Sequence, residues 1–171
     1  LKHTARFLKT NNRVIQLFEW QEEPTHIMTY VDSNFAGKVK STSGRGNWLG
    51  QHALKGWSGN QDVIALSSGE AEFYSMVAAS SEAMGLRAMT IDYGHELEPW
   101  LYVDASAAIG VAQRTGLGKI RHLDTQSLWL QEAGRKRRIG LEKVKGTENP
   151  ADLMTKFTDL ATFDKLCSII G

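Results

Sequence analysis

The run Ala65-Leu-Ser-Ser-Gly-Glu-Ala-Glu-Phe-Tyr74 decides how the chain is read: an apolar stretch ends in serines and glycine, and a helix then opens with carboxylates in its first turn. Ser67 or Ser68 supplies the N-cap, and Glu70 or Glu72 complements the positive helix end. Taken alone this is an ordinary helix start. Three other acids change its meaning, because each stands where one structural element gives way to the next. Asp32 closes the strand-like His26-Ile-Met-Thr-Tyr-Val-Asp32, Asp104 closes Trp100-Leu-Tyr-Val-Asp104, and Asp152 lies in Asn149-Pro-Ala-Asp-Leu-Met-Thr155.

Each acid has a plainer role open to it. Asp32 can begin the Ser33-Asn34 turn, Asp104 can N-cap the helix after it, and Asp152 can complement Asn149 and the helix dipole. Four acids on strand, helix, strand and helix are harder to explain that way. Hard divalent cations take oxygen ligands from a few carboxylates and keep water and substrate phosphate as further ligands. Two such ions roughly 3.5 to 4 Å apart activate water and stabilise the leaving oxygen of a phosphoryl displacement. Acids at the carboxyl ends of neighbouring strands and at the start of a covering helix converge in that manner.

The rest of the chain supplies the scaffold. Leu1, Ala5 and Leu8 at helical spacing among Lys2, His3, Arg6 and Lys9 predict a short basic helix. Val14 to Trp20 reads as a strand, and Glu22-Glu-Pro-Thr25 as a polar break. Asn34-Phe-Ala-Gly37 and Ser41-Thr-Ser-Gly44 read as turns, Asn47–Gln51 and Leu54–Trp57 as short antiparallel strands, with apolar Val63–Leu66 following. A long alanine-rich helix from Ser68 to Tyr93 places Phe73, Val77, Ser81, Met84 and Ala88 on one face. Trp100–Val103 is apolar enough for a strand covered on both faces. Ala107–Ala112 is a helix and Leu117–His122 a loop, and the next helix, capped by Asp124 or Thr125, runs on through Trp129 to Ala133 and is ended by Gly134. Ile139–Val144 is a last strand, and Asn149-Pro150 marks the N-cap and first position of the helix carrying Asp152. Hairpins followed by alternating strand and helix describe an α/β mixed sheet with helices packed on it.

Composition bounds the function. The 171 residues, 42% hydrophobic and 23% charged, suit one compact domain with short appendages. The single cysteine excludes an internal disulfide and a Cys-rich zinc site, which points to an intracellular protein. No stretch approaches a membrane span or a signal peptide, and a first residue other than Met points to a piece of a longer product. Net charge is +1, yet Lys119, Arg121, Arg135-Lys-Arg-Arg138, Lys143 and Lys145 gather in one half, so a polyanionic partner is allowed. The Arg135–Arg138 run also has the simpler role of solvating a helix C-terminus.

Four segments carry a resemblance. Tyr30-Val-Asp-Ser-Asn-Phe-Ala-Gly37, Lys40-Ser-Thr-Ser-Gly44, Ala65 to Phe73 and Ala151-Asp-Leu-Met-Thr-Lys156 are similar to the ribonuclease H domain of copia-type LTR retrotransposon polyproteins. Leu1–Lys9 resembles the tail of the reverse transcriptase that precedes that domain. The resemblance divides the chain into a reverse-transcriptase tail at 1–25, a ribonuclease H-like domain at 26–157 and a C-terminal extension at 158–171. It implies a five-stranded mixed sheet with its first three strands antiparallel, flanked by helices. It implies cleavage of the RNA strand of an RNA:DNA hybrid with two Mg²⁺ ions, Mn²⁺ substituting, in a protein joined to its reverse transcriptase. Such a protein works in the cytoplasm, a virus-like particle or the nucleus, with no membrane partner.

Carried onto this chain, the family's catalytic and metal-binding acids fall on Asp32, Glu72, Asp104 and Asp152. The resemblance implies that Asp32 bridges both ions, that Glu72 and Asp104 hold the ion near the leaving group, and that Asp152 holds the one that activates water. Glu70 competes for the second place; residues two apart on a helix point about 200° apart, so one of the two faces the ions, and the Ala-Glu-aromatic pattern favours Glu72. Substrate contacts fall on Ser33, Ser68, Ser106 and His122, the last with the plainer role of a loop or cap histidine open to it as well. Two departures stand out. Ala105-Ser106 replaces the family's Asn-Gln after the third acid, and Lys145-Gly-Thr-Glu148 offers no histidine before the fourth. They leave open a second reading, a catalytically decayed or repurposed nucleic-acid-binding module of the same fold. Trp48, Trp57 and Trp129 are read as core or sheet-face aromatics.

Overall fold

The computed structural model describes residues 15–36, 39–115 and 128–170, together with residues 5, 9 and 13. Five strands form one sheet: β1 (His26–Asn34), β2 (Thr42–Leu49), β3 (His52–Asn60), β4 (Glu98–Val103) and β5 (Gly140–Lys143). Their order is β3-β2-β1-β4-β5. The first three pair antiparallel, as hairpins do, while β4 runs parallel to β1 and β5 parallel to β4. Both parallel pairs are joined through helices, which that geometry requires. The helices are α1 (Ser68–Asp92), α2 (Ser106–Gln113), α3 (Trp129–Arg135) and α4 (Leu160–Ile170), with short 3-10 turns at Gly146–Glu148 and Pro150–Met154.

The core lies between one face of the sheet and α1. Val31, Leu101 and Val103 meet Phe73, Met76 and Ala79, and α2 and α3 close the layer with Ala108, Val111, Ala112, Leu130 and Ala133. The buried stripe of α1 runs Phe73, Met76, Ala79 and Ala83, whereas Ser81 and Ala88 of the expected face are exposed. Alanine around the whole circumference leaves the phase of the helix undefined in the sequence. Trp100–Val103 corrects a second expectation, since only Leu101 and Val103 are fully buried. Trp100 and Tyr102 face the other way, where Tyr102 stacks on Tyr30 with ring centroids 5.0 Å apart and Tyr30 meets Trp48 edge-on at 5.0 Å. Aromatics covering one another supply that face with apolar contact. Trp48 is also held by α4, donating its indole N–H to the Ile169 carbonyl at 3.3 Å.

Three further expectations give way. Residues 15–20 are not a strand; they lie beside the sheet through side chains, with Gln16 donating to the Ala53 carbonyl and Phe18 packing on His52. Val63–Leu66 is irregular, because Ser67 already begins the helix cap. Ser41-Thr-Ser-Gly44 is no turn: Thr42, Ser43 and Gly44 pair in β2 with Asn34, Ser33 and Asp32. Its small residues answer to packing. A Cβ on Gly44 would lie 2.9 Å from the Ala151 carbonyl oxygen and one on Gly56 2.6 Å from Met154 Cε, so the Pro150–Met154 turn rests directly on the β2–β3 backbone. Gly134 lies inside α3, which ends at Arg135. The basic helix expected over Leu1–Lys9, apart from Ala5 and Lys9, and the loop through His122 with the Asp124 or Thr125 cap lie outside the described residues.

Candidate active site

Asp32 enters the site from β1, where it is 1% exposed and paired across the ladder with Gly44. Its backbone carbonyl accepts a hydrogen bond from Ser75 Oγ of α1 at 2.9 Å, which fixes strand against helix next to the carboxylate. Glu72 points from the first turns of α1 toward this strand end, its Oε1 accepting the Ser33 N–H at 3.2 Å. Asp104 follows β4 directly. It does not cap α2, whose N-cap position is Ala105 and carries no side-chain cap, so its carboxylate stays with the other acids. One oxygen each from Asp32, Glu72 and Asp104 lies within 4.8 Å of the others.

The two candidate glutamates part company here. Ser67 is the N-cap and accepts the Glu70 N–H at 3.2 Å, while Glu70 Oε2 accepts the Leu66 N–H at 3.0 Å. Glu70 thus reaches back over the helix start to the N–H one residue before the N-cap, a variant of the capping box. Glu72 alone of the pair belongs to the acidic cluster.

Asp152 stands apart from that trio and is attached to it. Asn149 caps its turn, accepting the Ala151 N–H, and donates through Nδ2 to the Val31 carbonyl of β1 at 2.8 Å, fully buried. Lys156 Nζ then lies 2.9 Å from Asp152 Oδ1 and 3.0 Å from Asp32 Oδ1. Thr155 Oγ1 donates to the second oxygen of Asp32. Sequence reasoning gave Thr155 and Lys156 no part, although the four-residue offset from Asp152 to Lys156 on a helical turn signals such a pair.

The electrostatics are those of a cation site short of positive charge. Burial and then the charge of Asp32 push the Glu72 carboxyl up to about 8, against hydrogen bonding from Ser33. Burial and Asp32 likewise raise Asp104, and burial raises Asp152 in spite of the Lys156 hydrogen bond. Glu72 Oε2 is buried without a hydrogen-bond partner, as is Ser33 Oγ. The donor set is all oxygen and suits a hard divalent ion. Three carboxylate oxygens within 4.8 Å of one another are close enough for a single ion to draw on all of them.

Of the expected substrate contacts, Ser33 is buried beside Glu72, Ser68 is exposed on the first turn of α1, and Ser106 is exposed at the start of α2. His122 lies outside the described residues. Next to Asp104 runs an open groove lined by Lys143, Val144, Lys145, Gly146 and Thr147. The Arg135–Arg138 run ends α3, with Lys136 Nζ 2.5 Å from Glu132.

No family model matches the chain. It is similar to the retrovirus-related Pol polyprotein from transposon TNT 1-94 of Nicotiana tabacum, 26% identical over 147 residues; the match covers 83% of the chain and 11% of that polyprotein. Among solved structures, the N-terminal ribonuclease H domain of Rv2228c from Mycobacterium tuberculosis superimposes with a TM-score of 0.53 at 16% identity, covering 85% of this chain and 96% of that one. LC11-RNase H1, isolated from compost by a metagenomic approach, superimposes at 0.54 with 13% identity, covering 76% and 92%. The fold expected from the sequence, a five-stranded mixed ribonuclease H-like sheet, is therefore the fold found, and the resemblance to a copia-type Pol polyprotein holds along most of the chain.

Proposed function

We propose that this chain is a metal-dependent endoribonuclease that cuts the RNA strand of RNA:DNA hybrids, the ribonuclease H domain of a retrotransposon polyprotein. One observation carries the reading: β1, α1 and the end of β4 deliver Asp32, Glu72 and Asp104 to within 4.8 Å of one another, with Asp152 tied to Asp32 through Lys156. Asp32, Glu72, Asp104 and Asp152 would hold the metal. Mg²⁺ or Mn²⁺ bound there supplies an activated water and stabilises the leaving oxygen.

The protein's own residues do the rest. Asp32, buried and braced by Ser75 and Thr155, would be the most firmly held of the metal ligands. Lys143 and Lys145 flank Asp104 with exposed cations suited to backbone phosphates, the main source of nucleic-acid affinity. His122, the exposed Ser68 and Ser106, and the buried Ser33 are the further substrate contacts of this reading. Selection rests on hybrid shape and the 2′-hydroxyl, without a base code. The linked reverse transcriptase supplies the hybrid, inside the cell.

Cleavage of a labelled RNA:DNA hybrid, beside matched RNA and DNA duplexes, tests the reading. Cutting of the hybrid alone, dependent on Mg²⁺ or Mn²⁺ and lost in Asp32→Asn, is the expected result. A folded protein that binds Mg²⁺ and hybrid but never cuts, even with its polymerase added back, belongs to the decayed module instead.

A further inference from the structure

Asp32 is 1% exposed, so its charge needs a partner inside the protein, and the partner present is an ammonium. Lys156 Nζ bridges Asp32 Oδ1 at 3.0 Å and Asp152 Oδ1 at 2.9 Å, the two acids that a second cation would have to join. The exposures differ along this bridge: the side chains of Asp32, Asp152 and Lys156 are 1%, 16% and 40% exposed. The lysine therefore forms the outer end, anchored one helical turn beyond Asp152, and its flexible four-carbon stem can move into water while Asp32 cannot. By contrast, Glu72 Oε2 is buried without a hydrogen-bond partner, so among the described residues no cation is hydrogen-bonded to that oxygen.

We propose that Lys156 is a resident cation, filling the position between Asp32 and Asp152 so that the protein without nucleic acid takes one divalent ion, at Asp32, Glu72 and Asp104, and a second must first displace the lysine. The inference rests on the metal site proposed above and adds an order of occupancy to it. An ammonium carries one charge and a divalent ion two, so the exchange at Asp32 and Asp152 favours the ion electrostatically. Against that stand two charge-assisted hydrogen bonds and the loss of a tether that keeps the ammonium in place. The second ion is thus weaker than the first by the competition with Lys156.

Calorimetric and paramagnetic-resonance titration of the intact chain with Mn²⁺, in the absence of nucleic acid, reads the number of ions bound. The wild type should bind one ion. Lys156→Met keeps most of the stem without the charge and should bind two, the second at least tenfold tighter than any second binding in the wild type. Lys156→Arg, which keeps a charge, should stay at one, and circular dichroism of both variants checks that they are folded. An equal number of ions in wild type and Lys156→Met overturns the proposal. If that number is two, the metal site stands and Lys156 does not occupy it; if it is zero, the metal reading itself falls.

Discussion

Glu70 and Glu72 are two residues apart on one helix, yet Glu70 Oε2 takes the Leu66 N–H at 3.0 Å and Glu72 Oε1 takes the Ser33 N–H at 3.2 Å, so one closes the helix start and the other crosses to β1. The division separates stability from chemistry. Glu70→Gln should cost about 1 kcal/mol or less of stability, the usual size of a cap contribution, and leave hybrid cleavage within a few-fold. Glu72→Gln should lower cleavage by at least about a hundredfold, since even outer-shell partners of a metal ligand are worth tenfold to a hundredfold. Steady-state rates and urea midpoints for the pair decide it, and the opposite ranking would mean that the other helix face bears the metal.

Glu72 also makes the metal-free protein sensitive to pH. Its carboxyl is raised from an ordinary 4.5 to about 8 by burial and by Asp32. The folded protein therefore keeps a proton that the unfolded chain releases, and stability falls as pH rises from about 4.5 to about 8 and then levels. Asp104 and Asp152, also raised, act in the same direction from a lower starting point. At about 1.36 kcal/mol per unit the whole Glu72 shift corresponds to about 5 kcal/mol, of which the interval from pH 5 to pH 8 spans about 4. Urea unfolding in chelator at pH 5 and pH 8 should show this loss in the wild type and little of it in Glu72→Gln. Mg²⁺ at pH 8 should restore the wild type alone. A pH-independent difference between the two proteins would show that Glu72 ionises normally in the fold.

Much of this site is written in the chain at single-residue scale, and the exceptions share a cause. The end of β4 is legible because its apolar and aromatic run stops just before Asp104, whereas β1 runs two residues past Asp32, and Asn149-Pro150 announces its own turn. Helix geometry allows only one of Glu70 and Glu72 to face the other acids, and the Ala-Glu-aromatic pattern is what favours Glu72. What stayed hidden depends on neighbours distant in sequence: the Thr42–Gly44 segment pairs with residues 32–34 and carries the Asp152 turn, and Lys156 reaches an acid 124 residues away. Serine and glycine serve turns and close packing alike, so their local meaning is set by what lies against them.

Asn149 is where the fourth acid is tied to the first. Its amide donates to the Val31 carbonyl at 2.8 Å and accepts the Ala151 N–H at 3.2 Å, with the side chain fully buried. Asn149→Ala should destabilise the fold by about 1 to 3 kcal/mol by leaving buried backbone groups unpaired. Cleavage should fall further than the folded fraction does, because a shift of about 1 Å in a positioned group can cost a hundredfold. Rates measured well below the melting temperature, normalised to folded protein, separate the two effects. Full activity in the folded fraction would show that Asp152 keeps its place without this tie.

Gly44 tests the packing of that same turn from the other side. A methyl group there would meet the Ala151 carbonyl oxygen at 2.9 Å, Met154 Cβ at 2.9 Å and Thr155 Cγ2 at 2.6 Å. Backbone cannot give way as a flexible side chain can, so Gly44→Ala must lift the turn that carries Asp152, Thr155 and Lys156 off the sheet. Overpacking of this kind should cost about 1 to 3 kcal/mol, and the displaced turn should weaken metal binding as well. Gly85→Ala is the matched control: it is exposed on α1 with nothing within 4 Å of the added carbon, and alanine there should stabilise the helix by about 0.8 to 1 kcal/mol. Thermal melts and Mn²⁺ titrations of both variants should move in opposite directions for stability, with only Gly44→Ala changing the metal affinity. Unaltered metal binding in a destabilised Gly44→Ala protein would show that the turn yields without carrying its side chains out of the site.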